Sequence, residues 1–187
     1  MQQLFNYIKT IHPISKEAEE ALAEICTENS FKKNTDVQPI GHTFQTIYFI
    51  KKGALRIYYY KNETDITESF EFENDIVARA ESLFSGRPSK KAIQAIEDTD
   101  LIAINSTQLF KLYDLYPQLE RLFRKIFEEA YVKTVNRLES LQFHAAEERY
   151  QNLMKDHADI LQRVPLKYIA SYLGITQVSL SRIRAGK

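Results

Sequence analysis

No glycine and no internal proline interrupts the chain between Pro117 and Phe143. Leu119, Leu122, Phe123, Ile126, Phe127, Ala130, Tyr131, Thr134, Leu138 and Leu141 recur there at helical spacing. One helix over this span reaches about 40 Å at 1.5 Å per residue. A chain with such a rod must supply a body for part of it. The rest of the stripe needs another cover, and its width points to a second copy of the chain.

The residues before the rod supply that body. The first thirty residues read as helical: Leu4, Tyr7 and Ile8 share a face, and Ser15 can cap a second helix carrying Ala18, Leu22 and Ile25. Cys26, the single cysteine, reads as a small buried helix residue. From Phe31 to Asn105 the texture is that of short strands with turns between them. Ile47 to Ile50 run into a turn at Lys51-Lys52-Gly53. Leu55, Ile57 and Tyr59 then alternate with Arg56, Tyr58 and Tyr60, and Asn62-Glu63-Thr64 breaks the run. Ile66, Phe70 and Phe72 share one side of the next strand, and Ala92–Ile96 and Leu101–Ile104 close the series. This spacing suggests an antiparallel sandwich or barrel. A short helix from Thr107 to Leu115 leads into the rod. Another helix from Ala145 to about Lys155 follows it, and Pro165 opens a tail.

Charge singles out that tail. The chain has 25 basic and 25 acidic residues, yet no acid follows Asp159 while Arg163, Lys167, Arg182, Arg184 and Lys187 do, so the tail carries +5 and the body −5. Such asymmetry suggests an end that faces nucleic acid. The tail also has the parts of a helix-turn-helix. Ala170 is small where two helices cross, and Gly174 supplies the left-handed residue that ends the first. Thr176 can cap the second. Ile169, Leu173, Ile175, Leu180 and Ile183 provide a small core. Val178, Ser181, Arg182 and Ala185 point outward, flanked by Gln177 and Ser179. An outward face that is small, polar and basic suits a major groove. Gln177, Val178, Ser181 and Arg182 are the candidates for base contacts. Thr176, Ser179, Arg184 and Lys187 are the candidates for phosphates. The competing reading of Arg182 is a surface arginine paired with Glu147 or Glu148.

The order of these parts resembles the Crp/Fnr (cyclic AMP receptor/fumarate-nitrate regulator) family of bacterial transcription regulators. Tyr48 to Arg56, Glu148-Arg149-Tyr150 and Tyr168 to Arg184 carry the likeness, most closely to a short-tailed branch common in Bacteroidetes. The resemblance implies an α+β fold: a cyclic-nucleotide-binding-type β-roll sensor over 1–115, a dimerisation helix over 116–144 and a helix-turn-helix domain over 145–187. It implies double-stranded DNA with a near-palindromic operator, a second copy of the chain and RNA polymerase as partners. Two departures stand out. The family's nucleotide cassette places Gly-Glu where this chain has Ala78-Arg79, and Arg-Ser/Thr-Ala where it has Ser89-Lys90-Lys91. An arginine cannot accept a ribose hydroxyl, and lysine lacks the planar fork that neutralises phosphate. Cyclic AMP is therefore not the expected effector and no cofactor is expected. A shifted alignment would pair Glu81 with Lys91. Glu81, Ser82, Arg87, Ser89, Lys90 and Lys91 are the effector-pocket candidates; the basic, hydroxyl-rich stretch from Arg87 to Lys91 suits an anion, and the alternative is a solvated loop. The second departure is the lack of the family's β-hairpin wing after the recognition helix.

Enzymatic readings find little support. Of the four histidines, His12, His42, His144 and His157, only His42 falls in the β-region, so a cupin-like metal site lacks ligands. One cysteine cannot hold an iron–sulfur cluster. No Ser/His/Asp arrangement and no phosphate-cradling glycine loop occurs. No catalytic or metal residue is assigned. A sensor module acting on a protein partner is the alternative, and the tail argues against it. No apolar run approaches a membrane span, and Met1 to Phe5 lack the basic-then-apolar pattern of a signal peptide. The expectation is a cytoplasmic, non-enzymatic regulator without a membrane partner.

Overall fold

A computed structural model describes residues 1–186. Two helices open the chain, α1 (Gln2–Ile11) and α2 (Lys16–Glu24), the second capped by Ser15, whose hydroxyl accepts the Ala18 N–H at 3.3 Å. Eight strands follow: β1 (Cys26–Phe31), β2 (Asp36–Gln38), β3 (Thr46–Lys52), β4 (Leu55–Lys61), β5 (Thr64–Glu71), β6 (Ile76–Val77), β7 (Ala92–Ala95) and β8 (Thr99–Asn105). A short helix, α3 (Ala80–Ser85), sits between β6 and β7. The strands form two antiparallel sheets in the orders β1-β8-β3-β6 and β2-β7-β4-β5.

The apolar run Ile47 to Ile50 lies in the middle of this arrangement. Tyr48 and Ile50 point between the sheets, where they meet Phe44, Leu55, Ile57, Ile93 and Leu101. Ile47 and Phe49 point the other way, onto Leu4, Ile8, Leu22 and the long helix. A strand buried on both faces needs no alternation. Gly53, at φ +95°, turns β3 into β4. A Cβ there would stand 2.5 Å from Thr99 Oγ1 and 2.7 Å from the Asp98 carbonyl oxygen, so only glycine fits.

The sequence-based reading needs correction at the start of the sheet. Cys26 opens β1 rather than sitting in a helix, and strand structure begins there instead of at Phe31. Four of the six β1 side chains are exposed, so the strand carries no hydrophobic period. It is held by backbone pairing to β8, from Cys26 opposite Ile104 to Phe31 opposite Thr99. Cys26 is partly buried, and its thiol donates to the Leu22 carbonyl at 3.0 Å.

Helix α4 (Ser106–Leu115), capped by Asn105, leads to α5 (Pro117–Phe143), which has the expected limits and proline in its first turn. Its first half is covered, with Leu119, Leu122, Phe123 and Ile126 buried on the roll. Its second half leaves apolar side chains bare: Tyr131 is 70% and Phe143 73% exposed, with Val132, Leu138 and Leu141 also exposed. Four helices follow among the described residues: α6 (Ala146–Asp156), α7 (Ile160–Arg163), α8 (Leu166–Leu173) and α9 (Gln177–Arg184). At the start of α6 the Glu148 carboxylate accepts the Ala145 N–H at 2.8 Å. Helix α7 has no counterpart in the sequence reading.

These last helices pack on the second sheet. Ala54, Phe72 and Ile96 of the roll share one apolar cluster with Leu153, Ile160, Val164, Tyr168, Ile169 and Leu173. Phe70 and Phe72 face this cluster through Tyr172 and His157. Arg163 pairs with Glu73 at 2.8 Å and with Glu97 across the same junction. One of the five tail cations is thus neutralised by the roll and is not available to an external anion.

Candidate nucleic-acid interface

Each end of the α8–α9 turn is fixed by a local signal. Gly174 adopts φ +70°, its N–H donates to the Ser171 carbonyl, and the Ile175 N–H donates to that of Ala170, both at 3.0 Å. This crossed pair closes the helix and satisfies two otherwise orphaned carbonyls. Arg149 of α6 takes the Leu173 carbonyl through Nε and Nη2, at 3.2 and 2.7 Å, and the His144 carbonyl through Nη1. Glu148 and Arg149 are therefore builders of the junction among α5, α6 and α8. Thr176 caps α9, its hydroxyl accepting the Ser179 N–H at 3.1 Å. Ala170, Ile169, Leu173 and Leu180 are buried and Ile175 packs against them, as the spacing required, whereas Ile183, expected in the same core, is only partly buried and does not join it.

The opposite face of α9 is open. Gln177, Val178, Ser181, Arg182, Arg184 and Ala185 are exposed, and so is Thr176 at its start. Ser179 is only partly exposed, and its hydroxyl lies 3.0 Å from that of Thr176. Neither Arg182 nor Arg184 has an ion pair among the described residues, and Glu148 is engaged with Ala145 instead. Lys187 lies outside the described residues. Lys167, near the start of α8, lays its ammonium 4.7 Å from the centre of the Tyr168 ring. The face thus offers amide, hydroxyl and guanidinium donors with no competing carboxylate on α8 or α9.

The proposed effector residues do not converge. Glu81, Arg87 and Lys90 are exposed. Ser82 is buried, accepting the Phe44 N–H at 2.9 Å and donating to the Arg87 carbonyl at 2.5 Å. Ser89 is buried against the Lys91 backbone. These two serines hold the loop that follows α3. Lys91 pairs with Glu68 rather than Glu81, so the shifted pairing does not form.

A cavity of about 190 Å³ lies instead between β5, the start of α3 and the middle of α5. Glu68, Ser69, Glu71, Arg79, Lys133 and Arg137 line it. Glu68 draws Arg79 to 3.4 Å as well as Lys91. The Nε atoms of Arg79 and Arg137 are buried without an acceptor among the described residues, leaving N–H donors for an acceptor-bearing group. Burial, with Asp75 close by, pushes the Glu71 carboxyl up to about 7. Burial likewise lowers the pKa of Arg137, which stacks 3.7 Å over Tyr172 and donates to that residue's carbonyl. The sequence reading missed Glu68, Glu71, Lys133 and Arg137. For Lys133 and Arg137 the charges interleaved with the apolar stripe of α5 were the available signal; Glu68 and Glu71 lie on β5 and had none. Among the described residues, no three His, Cys, Asp or Glu side chains gather as a metal site, and no helix is long and apolar enough to cross a membrane.

No family model matches the chain, and no curated protein matches it. Solved structures share its fold. FixK2 from Bradyrhizobium japonicum superposes with a TM-score of 0.75 at 20% identity, over 87% of this chain and 84% of that one. The c-di-GMP-responsive global regulator CLP of Xanthomonas campestris gives 0.73 at 15% identity, over 92% and 91%. A protein from Eubacterium rectale described as a Crp/Fnr-family transcriptional regulator gives 0.72 at 17% identity, over 92% and 83%. The α+β class is as expected: a cyclic-nucleotide-binding-type antiparallel roll, a long helix and a helix-turn-helix.

Proposed function

We propose that the chain is a sequence-specific DNA-binding transcription regulator of the Crp/Fnr type that works as a homodimer in the cytoplasm. The single observation that carries this reading is α9: a capped helix on a glycine turn, with an exposed, acid-free face and two arginines in no ion pair among the described residues. Arg182 reads a guanine through O6 and N7. Gln177, Val178 and Ser181 take neighbouring base edges. Thr176, Arg184 and Lys187 take phosphates, with a lesser part for Ser179. RNA polymerase is the further partner this role entails.

The side chains left bare on the second half of α5 support dimerisation, since exposed apolar side chains gathered on one helix mark an interaction surface. Two copies joined there present their α9 helices to successive major grooves, about 34 Å apart, on a near-palindrome. The roll responds to an effector other than cyclic AMP, because Arg79 takes the sequence position of the family's ribose-binding glutamate and a guanidinium accepts no hydroxyl. The chemistry is binding, not catalysis.

Selection from random double-stranded DNA by the purified protein tests this reading. Enrichment of a near-palindrome is expected. Arg182→Ala should then cost about 1–3 kcal/mol per half-site and relax one base position, whereas Arg184→Ala should weaken all sequences alike and flatten the salt dependence. Selection without enrichment, or full affinity for isolated half-sites, would overturn it.

A further inference from the structure

Arg56 is a buried cation that the DNA-binding role leaves without a use. The alternation in β4 puts it on the face away from the space between the sheets, yet it is 2% exposed because α8 covers it. Its Nε donates to Gln94 at 2.9 Å. Its two Nη atoms take both Asp65 oxygens, at 2.6 and 2.7 Å, and Nη1 also reaches the Thr67 hydroxyl. The guanidinium plane is sandwiched between Tyr58 of the roll, 4.2 Å from the ring centre, and Tyr168 of α8, 3.7 Å away. A buried charge held in this way joins two parts of the fold in one geometry, because any slippage strands it.

The backbone beside it is engaged by the same helix. β5 is an edge strand, whose outward N–H and C=O groups need partners. The Ser171 hydroxyl accepts the Thr67 N–H at 2.9 Å and donates to the Asp65 carbonyl at 3.1 Å. The tip of the hairpin, Thr64 to Ile66, shares a groove with Thr176 and Gln177, where α9 begins. Leu180 ties α9 to α8, because it is buried in the core that holds Leu173.

We propose that the β4–β5 hairpin sets the angle at which α9 is presented to DNA, with Arg56, Asp65 and Ser171 as positioning residues that act through α8. This rests on the reading of α9 as the base-reading helix. The consequence is geometric: a helix pair fixed on the roll of each subunit fits one spacing of half-sites.

The test uses the full-length protein and the site recovered by selection. Arg56→Lys keeps the charge but loses the planar fork and the stack. Ser171→Ala removes both hydroxyl bonds. One base pair inserted at the centre of the site turns one half against the other by about 35° and shifts it by about 3.4 Å. Wild-type affinity is expected to fall at least about tenfold on insertion, and that of either variant less than about threefold, with the same bases selected. A merely structural role would lower affinity for both spacings equally. That result, or a wild-type-like fall in the variants, overturns the proposal. Exchange of the Thr67 amide hydrogen is the DNA-independent arm: it should be slow in the wild type and fast in Arg56→Lys, where Ser171 is intact. Unchanged protection there also overturns the proposal. If Arg56→Lys fails to fold, Ser171→Ala carries the spacing test. A wild-type protein that enriches no site fails the DNA-binding reading instead, and the Thr67 exchange then decides whether the hairpin fixes α8.

Discussion

Replacing Glu71 by glutamine should stabilise the protein at pH 8 and leave it little changed at pH 5. Glu71 lies in the cavity wall beside Asp75, accepts the Ser69 hydroxyl at 2.7 Å, and has its carboxyl pushed up to about 7 from the usual 4.5. Between those two values the native state holds a proton that the unfolded chain has released. Stability is therefore greatest below about 4.5 and falls as the pH rises through about 7. Each pH unit of that window is worth about 1.4 kcal/mol, which sets a ceiling near 3 kcal/mol. The Ser69 hydroxyl and the nearby Lys133 support the ionised form, and solvent reaches part of the side chain, so about 1–2 kcal/mol is the expected effect. Urea unfolding of wild type and Glu71→Gln at pH 5, 6, 7 and 8 isolates it, because other titrating groups cancel in the difference. A difference that stays constant across this range would refute the reasoning, as would one that favours the wild type at pH 8.

The two structural glycines should separate in denaturant unfolding. Gly174→Ala meets only Arg149 at 3.9 Å and costs about 1–2 kcal/mol for its left-handed backbone. Gly53→Ala adds overlap with Thr99 and Asp98, and should cost more than about 3 kcal/mol. Arg163→Met leaves Glu73 and Glu97 facing each other, and should lower stability by about 1–3 kcal/mol in the same assay, less in high salt. Burial pushes the Cys26 thiol up to about 12, so iodoacetamide at pH 8 should leave it unmodified by mass spectrometry until denaturant is added.

What could be read in the chain was what it encodes locally. The limits of α5 follow from Pro117 and an unbroken period, and the α8–α9 turn from Gly174 and Thr176, so rod and recognition unit were legible in advance. β1 was not, because its exposed side chains show no period and its partner β8 comes some seventy residues later. The burial of Arg56 was hidden for the same reason: its own strand reads as half-exposed, and its cover, Tyr168, is more than a hundred residues away. The cavity residues were obscured differently. Glu68, Glu71 and Arg137 lie on elements that spacing identifies, but only the packing of β5 against α5 brings them together.

The dependence of the β5 edge on Ser171 has a consequence for synthesis. The last strand of the roll ends at Asn105, and the roll's two sheets can pair once that residue has left the ribosome. At roughly 5–20 residues per second, Ser171 follows only several seconds later. During that interval Arg56 lacks the Tyr168 ring, and the Thr67 N–H and Asp65 carbonyl have no partner from α8. A nascent roll therefore presents an open strand edge beside an uncovered cation. Asp65 already holds the Arg56 charge within the roll, so the charges that oppose pairing of that edge with a second nascent roll are the strand's own acids, Asp65, Glu68 and Glu71, which an identical edge would repeat.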